Sequence, residues 1–249
     1  MSANATPAHA SLLSRLLLIL CLLTLVALML SGLGSRWDWW HFSTGFQILR
    51  WGTWAAIGLS GVTLALLLYA IFRRQRRNIL VLAHALPMVL IPAGYVYYQY
   101  QAVQHVPPIH DITTDPDSPP AFHALPGVPE RSLTYDRDNV LPQQQQAYPD
   151  IVPMLSDDPP DRVFERALEA ARALGWELAE VDGVERRFQA VDTTFWFGFK
   201  DDIVVRVQPA DAEGTASRLD VRSASRVGRS DVGANAERIR RFMDEFGRH

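Results

Sequence analysis

Three apolar runs fill the first hundred residues, and Arg73, Arg74, Arg76 and Arg77 sit between the second and the third. No later feature constrains the chain as much. The runs span about 12–33, 54–72 and 79–98, each close to the ~20 residues a helix needs to cross a bilayer. Arginine clusters resist export during insertion, so the 73–77 turn faces the cytoplasm and the N-terminus lies on the same side. Three crossings then deliver everything after residue 100 to the opposite, periplasmic or extracytoplasmic side. The pattern predicts a multi-pass protein of the cell (inner) membrane.

The net charge of −3 averages two unlike halves. Residues 1–100 hold seven arginines and one acid, Asp38, whereas residues 101–249 hold seventeen Lys and Arg against twenty-six Asp and Glu. An acidic exported region repels nucleic acid and anionic headgroups, so nucleic-acid binding is not expected. The single cysteine, Cys21, lies in the first apolar run and cannot form an internal disulfide. Leu20 stands where a lipoprotein site needs a small residue. The first run, at about 22 residues, is longer than the ~7–15 of a signal-peptide core, so it is read as uncleaved. Trp37, Trp39, Trp40, Trp51 and the tyrosines at 95, 97, 98 and 100 suit the outer headgroup layer. His84 in the third run has no acidic partner in any run and is read as an interfacial or packing residue.

Residues 101–150 carry nine of the sixteen prolines. Proline disfavours helix and central strand, so an extended, turn-rich segment is expected. Its recurring apolar residues (Ile109, Ile112, Phe122, Leu125, Val128, Leu133, Tyr135, Val140) suggest docking rather than a free tether. Residues 151–249 read as a domain. Asp158, with Pro159 and Pro160, predicts a helix start, and Phe164, Ala167, Leu168, Ala171 and Leu174 share its apolar face up to Gly175. Strands follow at 176–181 and, past the turn Asp182-Gly183, at about 185–199. Ile203, Val205 and Val207 alternate in a third strand and Leu219 and Val221 in a fourth; a last helix begins near Ser230 or Asp231. The fold class is therefore α+β: three transmembrane helices, then helix, four antiparallel strands and helix.

Placing Val205 opposite Val221 and Val207 opposite Leu219 makes one sheet face apolar. The same register sets Arg206 opposite Asp220 and Val204 opposite Arg222 on the other face, with Asp202 nearby. That face is either a solvated ladder of ion pairs or a polar recognition surface. Beyond it, residues 222–235 run from a strand through a glycine turn to a helix start, which suits a small anion. Candidate ligand-binding residues are Asp202, Arg206, Arg222, Arg226, Ser230 and Asn235, although Ser230 or Asp231 can simply cap the helix and the arginines can pair with Asp192, Asp201 or Asp202. The aromatic run 195–199 is read as strand with rings on both faces. Trp196 and Phe197 are therefore candidate contacts for a partner or lipid, unless the 101–150 segment or the membrane helices cover them. The set His105, His110, Asp111, Asp115, Asp117 and His123 fits no ligand template, so no metal or cofactor is expected. No catalytic residues are assigned.

Three stretches together resemble the domain of unknown function 1499 family. They are Pro107-Pro108-Ile109-His110-Asp111-Ile112-Thr113-Thr114-Asp115, Ala147-Tyr148-Pro149-Asp150-Ile151, and Phe197-Gly198-Phe199-Lys200-Asp201-Asp202 with Asp220-Val221-Arg222-Ser223 and Ser230-Asp231-Val232-Gly233-Ala234-Asn235. The resemblance covers about 105–246 and implies domain limits, not a mechanism. It also includes members that carry three membrane helices. The expected role is a non-catalytic extracytoplasmic binding or envelope-interaction domain, whose partners are the lipid bilayer and an envelope protein. The alternative is an anion receptor or enzyme using residues 222–235.

Overall fold

The computed structural model describes residues 10–104, 106–124 and 128–248, so His105, Leu125 and His249 lie outside the described residues. The chain divides into two compact units: residues 1–102 together with the turn Phe195–Gly198, and the remaining residues from Val103 to His249.

The first unit is built on α1 (Leu12–Arg36), α2 (Phe42–Phe72) and α3 (Arg76–Val103), all long and apolar enough to cross a membrane. All three extend past the expected runs, and α2 starts twelve residues before the expected 54. Nothing between Phe42 and Trp54 breaks a helix, and the His41 ring caps its start by accepting from the Ser43 N–H. At ~1.5 Å per residue its 31 residues span about 46 Å, more than a ~30 Å hydrocarbon layer. Small residues let the helices approach: Cys21, Ala56, Ala85, Val89 and Ala93 form one buried cluster. Helix α3 continues through Pro87 and Pro92, and His84 turns its Nδ1 onto the Leu80 carbonyl at 2.7 Å.

The aromatic run is not strand. The second long strand ends at Thr193, and Thr194 and Phe199 close a turn in which Phe199 N–H donates to Thr194 Oγ1 at 2.8 Å. Gly198, at φ +70°, supplies the left-handed residue the turn requires. Within the first unit the Trp196 ring lies on Gly32, and its Nε1–H donates to the Met29 carbonyl at 3.0 Å. Phe197 stacks on Phe46 with centroids 4.7 Å apart, and Arg36 donates to the Phe195 carbonyl at 2.9 Å. Residues of α1 and α2 thus meet Trp196 and Phe197, of which Phe197 is buried.

In the second unit, β1 (Asp111–Thr113), β2 (Met154–Ser156), β3 (Glu177–Asp182), β4 (Arg187–Thr193), β5 (Lys200–Pro209) and β6 (Ser217–Ser225) form one antiparallel sheet of order β1-β6-β5-β4-β3. The short β2 also pairs with β6. The expected helix–four strands–helix series is present, with α6 (Pro160–Ala173) before β3 and α7 (Ala234–Phe246) after β6, and β1 and β2 extend it. The β5–β6 register is the one the alternation predicts: Val205 faces Val221, Val207 faces Leu219 and Arg206 faces Asp220. One face packs under α6 and α7, where Val163, Ala167, Phe188, Ile203, Val221, Ile239 and Phe242 are buried and Trp176 stacks on Phe242 at 5.1 Å.

Two caps differ from expectation. Pro159 precedes α6 without a side-chain bond, because the Asp158 carboxylate is drawn to Arg162 at 3.0 Å and Arg166 at 2.7 Å. Helix α7 starts only at Ala234. Gly233 (φ +84°) turns the chain, and Asp231 accepts from the N–H groups of Gly233 and Asn235, both at 2.9 Å.

The proline-rich segment contains helices after all: the single turn α4 (Glu130–Leu133) and α5 (Arg137–Ala147). Asp136 caps α5 by accepting from Asn139 N–H, and Pro142 sits inside it. The buried Gln144 amide replaces a neighbouring strand: it accepts from Thr113 N–H at 3.2 Å and donates to the Thr113 carbonyl at 2.7 Å. Ile109, Ile112, Phe122 and Val140 are buried, so the segment docks on the domain rather than trailing from it.

Gly32→Leu is expected to lower the melting temperature of the full chain in detergent by several degrees, because a Cβ there would meet the Trp196 ring at 2.5 Å. Gly58→Leu, where a side chain meets open space, should leave it unchanged. Equal melting of both variants would remove the Gly32–Trp196 contact as a determinant of stability.

Candidate functional site

Alternation along β5 and β6 sorts the candidate residues between the two sheet faces. Asp202, Arg206 and Arg222 lie opposite the helices, and β1 adds Asp111 and Thr113 to the same face through its pairing with Ala224 and Arg222. This face is not a solvated ladder. The segment carrying Phe122 and Tyr135 covers it, leaving Arg222 1% and Asp220 0% exposed.

Arg222 forms a two-pronged pair with Asp111, Nε to Oδ1 at 3.0 Å and Nη2 to Oδ2 at 2.7 Å, and also donates to the Pro120 carbonyl at 3.3 Å. Its guanidinium lies over the rings of Phe122 (4.8 Å) and Tyr135 (5.4 Å). Burial, reinforced by the Asp111 charge, pushes the Tyr135 hydroxyl up to about 12. Next along the face, Arg206 reaches Asp220 at 3.0 Å and Asp115 at 3.2 Å, and Arg218 bridges the same two carboxylates. At the far side Arg187 meets Glu180 at 3.0 Å and His123 Nδ1 at 2.9 Å. His123, then Arg187 and Gln189, hold the Glu180 carboxyl below the usual range.

The fourth pair adjoins a cleft. Arg226, just past β6, grips Asp202 through Nε at 3.1 and 3.0 Å and through Nη2 at 2.8 Å. A cleft of about 150 Å³ borders it, lined by Glu177, Gln189, Lys200 and the Phe122 ring. Burial raises Asp202 above the ordinary carboxylate range despite Arg226.

Asn235 and Ser230 belong to the opposite face. The wholly buried Asn235 accepts from Ser223 Oγ at 2.7 Å and donates to the His110 carbonyl at 2.9 Å and Ser225 Oγ at 3.1 Å. Ser230 Oγ accepts from Val232 N–H at 3.2 Å, a local turn bond. Beside them stands Arg238, which the sequence reading did not single out: it binds Asp192 at 2.8 Å, Asp201, and Ser223 Oγ at 3.2 Å. Arg238 is 2% exposed, and nothing in the apolar stripe of α7 marks it out from the arginines beside it. Burial also raises the Asp231 carboxyl, against the pull of the Gly233 and Asn235 N–H groups.

The structure therefore brings Asp202 and Arg226 together, sets Arg206 and Arg222 in separate pairs on the same face, and holds Ser230 and Asn235 on the other. Trp196 and Phe197 belong to the first unit. Among the described residues, no cluster of three His, Cys, Asp or Glu is arranged to hold a metal ion.

Arg222→Met is expected to destabilise the full chain by about 3–5 kcal/mol, because it leaves Asp111 charged and unpaired in apolar surroundings. Adding Asp111→Leu should recover most of the loss. Denaturant unfolding followed by tryptophan fluorescence reads both. A single variant as stable as the parent would mean that Arg222 does not hold the fold and is free for a ligand.

No curated protein matches the chain. The family described as "Protein of unknown function (DUF1499)" matches residues 111–246, a span that starts at β1 and ends with α7, and on that match, which takes in more than half of its length, the chain belongs to the DUF1499 family.

Proposed function

We propose that the chain is a multi-pass protein of the cell (inner) membrane. It displays its DUF1499 domain on the extracytoplasmic, periplasmic side as a non-catalytic module for binding or envelope interaction. The observation that carries this reading is the odd number of membrane-length helices combined with Arg73, Arg74, Arg76 and Arg77 at the α2–α3 junction. The pairing inside the domain supports the non-catalytic part. Acid–base or nucleophilic catalysis needs a group free to act, and Asp111, Asp201 and Asp220 are each engaged by a guanidinium. The module's partner is then an envelope protein or the bilayer itself, and of the two aromatic candidates the half-buried Trp196 is the more accessible to it, Phe197 being buried.

Alkaline phosphatase fused after Tyr100 should be active in a bacterial host, while green fluorescent protein at the same point should stay dark. Fluorescence without phosphatase activity would place the domain in the cytoplasm and end this reading.

The cleft beside Asp202 favours one second reading, a receptor for a small anion at Arg226 and Lys200. An incoming anion must displace the Asp202 carboxylate. Burial raises that carboxyl, so it takes up a proton at milder acidity than an ordinary aspartate, and affinity should grow as pH falls from 7 toward 5. Thermal shifts of the full chain with phosphate, sulfate or acetate at both pH values test this, with Arg226→Ala abolishing the effect. No shift with any of the three at either pH leaves the pair purely structural.

A further inference from the structure

The arginine end of the helical unit holds a cavity of about 1040 Å³. Residues from the start of α1, the end of α2 and the start of α3 line it. Arg74, Arg76 and Arg77 line it on one side, with Ser11 and Asn78, while Leu13, Leu66 and Leu82 form an apolar wall. The cavity has built edges. Asn78 Oδ1 accepts from Ser11 N–H at 2.8 Å, tying the start of α1 to the start of α3, and Asn78 Nδ2 donates to Gln75 Oε1 at 2.8 Å. Arg74 stands at φ +55°, a left-handed conformation that a non-glycine residue adopts at a cost.

The charge around this cavity is one-sided. Asp38 is the single acid among residues 1–110, so none of the arginines at 73, 74, 76 and 77 has a carboxylate near it in sequence, and among the described residues none forms an ion pair. In the domain the opposite holds, where arginine after arginine meets a carboxylate. Guanidinium groups gathered at a bilayer surface without carboxylates attract phosphate, which they bind through paired donors. A topology signal alone needs the charges but not a cavity, and a soluble phosphate needs no apolar wall. A lipid headgroup with the top of its acyl chains matches both halves.

We propose that this cavity seats an anionic glycerophospholipid, its phosphate held by Arg74, Arg76 and Arg77 and its upper acyl chain by the leucine wall. The proposal rests on the reading of α1–α3 as membrane-spanning. The site would fix the helical unit to anionic lipid at the arginine side of the bilayer.

The test uses the full chain in nanodiscs made from an equimolar mixture of phosphatidylcholine and phosphatidylglycerol, with retained lipid read by native mass spectrometry. Phosphatidylglycerol should be retained over phosphatidylcholine by roughly tenfold, the scale of about one strong charge-assisted contact. Arg74→Gln combined with Arg77→Gln should erase the preference, whereas Arg15→Gln, outside the cavity, should keep it. Because removing arginines can disturb insertion, Leu13→Trp provides a second variant that fills the cavity and leaves every charge in place, and it too should erase the preference. Equal retention of the two lipids by the parent chain overturns the proposal, as does an unchanged preference in the Leu13→Trp variant. Displacement of the lipid by millimolar inorganic phosphate would assign the site to a soluble anion instead. Release of the chain from membranes by alkaline carbonate would show that the membrane reading itself has failed; resistance to carbonate with no lipid preference would remove this site alone.

Discussion

The DUF1499 domain depends on a guanidinium sealed between two rings. Arg222 could not be left in that position without Asp111, and Asp111 arrives there on β1, more than a hundred residues earlier in the chain. Desolvating both charges is costly, and the geometry that offsets the cost is specific: two parallel N–H···O contacts, a backbone carbonyl and two aromatic faces. A pair of this kind adds little net stability over a packed apolar substitute. It discriminates strongly, because any misdocking of the proline-rich segment would leave both charges buried and unpaired. Arg206 with Asp115 and Asp220, and Arg187 with the Ala121 carbonyl, repeat the device along the same face. The segment is thereby held to the sheet by polar contacts as well as by its buried apolar residues, and the family match begins at residue 111 rather than at the first long helix.

That dependence explains what the sequence disclosed and what it hid. The β5–β6 register was legible because Val205, Val207, Leu219 and Val221 repeat every second residue, and a slip by one would have moved one strand's pair onto the polar face. The three long apolar helices were legible from length and hydropathy. The same alternation says nothing of what lies over the polar face, so Asp202, Arg206 and Arg222 read as solvent-facing when Asp202 and Arg222 are buried and Arg206 is partly covered. Helix α5 was hidden by its proline and four consecutive glutamines. Its reason for being helical is tertiary: Gln144 has to meet both backbone groups of Thr113. The aromatic turn misled for a related reason. Phe, Trp and Phe favour strands, but Gly198 at positive φ and the Thr194 hydroxyl end the ladder at Thr193.

Arg238 and Asn235 show a different limit. Both sit on the helix-facing side, where a sequence pattern predicts only apolar residues, and their partners Asp192, Asp201, Ser223 and Ser225 come from the ends of three strands. The serines of β6 face inward where valines would have continued the core, so the apolar interior stops at Ile203 and Val221 and a polar one takes over toward the start of α7. Asp231 closes that end by taking the first free N–H groups of the helix. The helix start that resembled an anion site in sequence thus already holds an anion of its own, and a second one there would meet the Asp231 charge in a desolvated setting.

The two units handle charge by opposite rules, and this bears on where a ligand can act. In the domain, acids exceed bases, and the arginines are turned inward onto carboxylates, so what remains at its surface is net acidic and repels phosphates at distances up to the ~10 Å screening length. In the helical unit the arginines at the α2–α3 junction have no carboxylate near them in sequence and, among the described residues, form no ion pair. An anion offered equally to both units would therefore collect at the arginine end. For one to bind the domain instead, it must enter at the Asp202–Arg226 pair, where the carboxylate is already biased toward its neutral form.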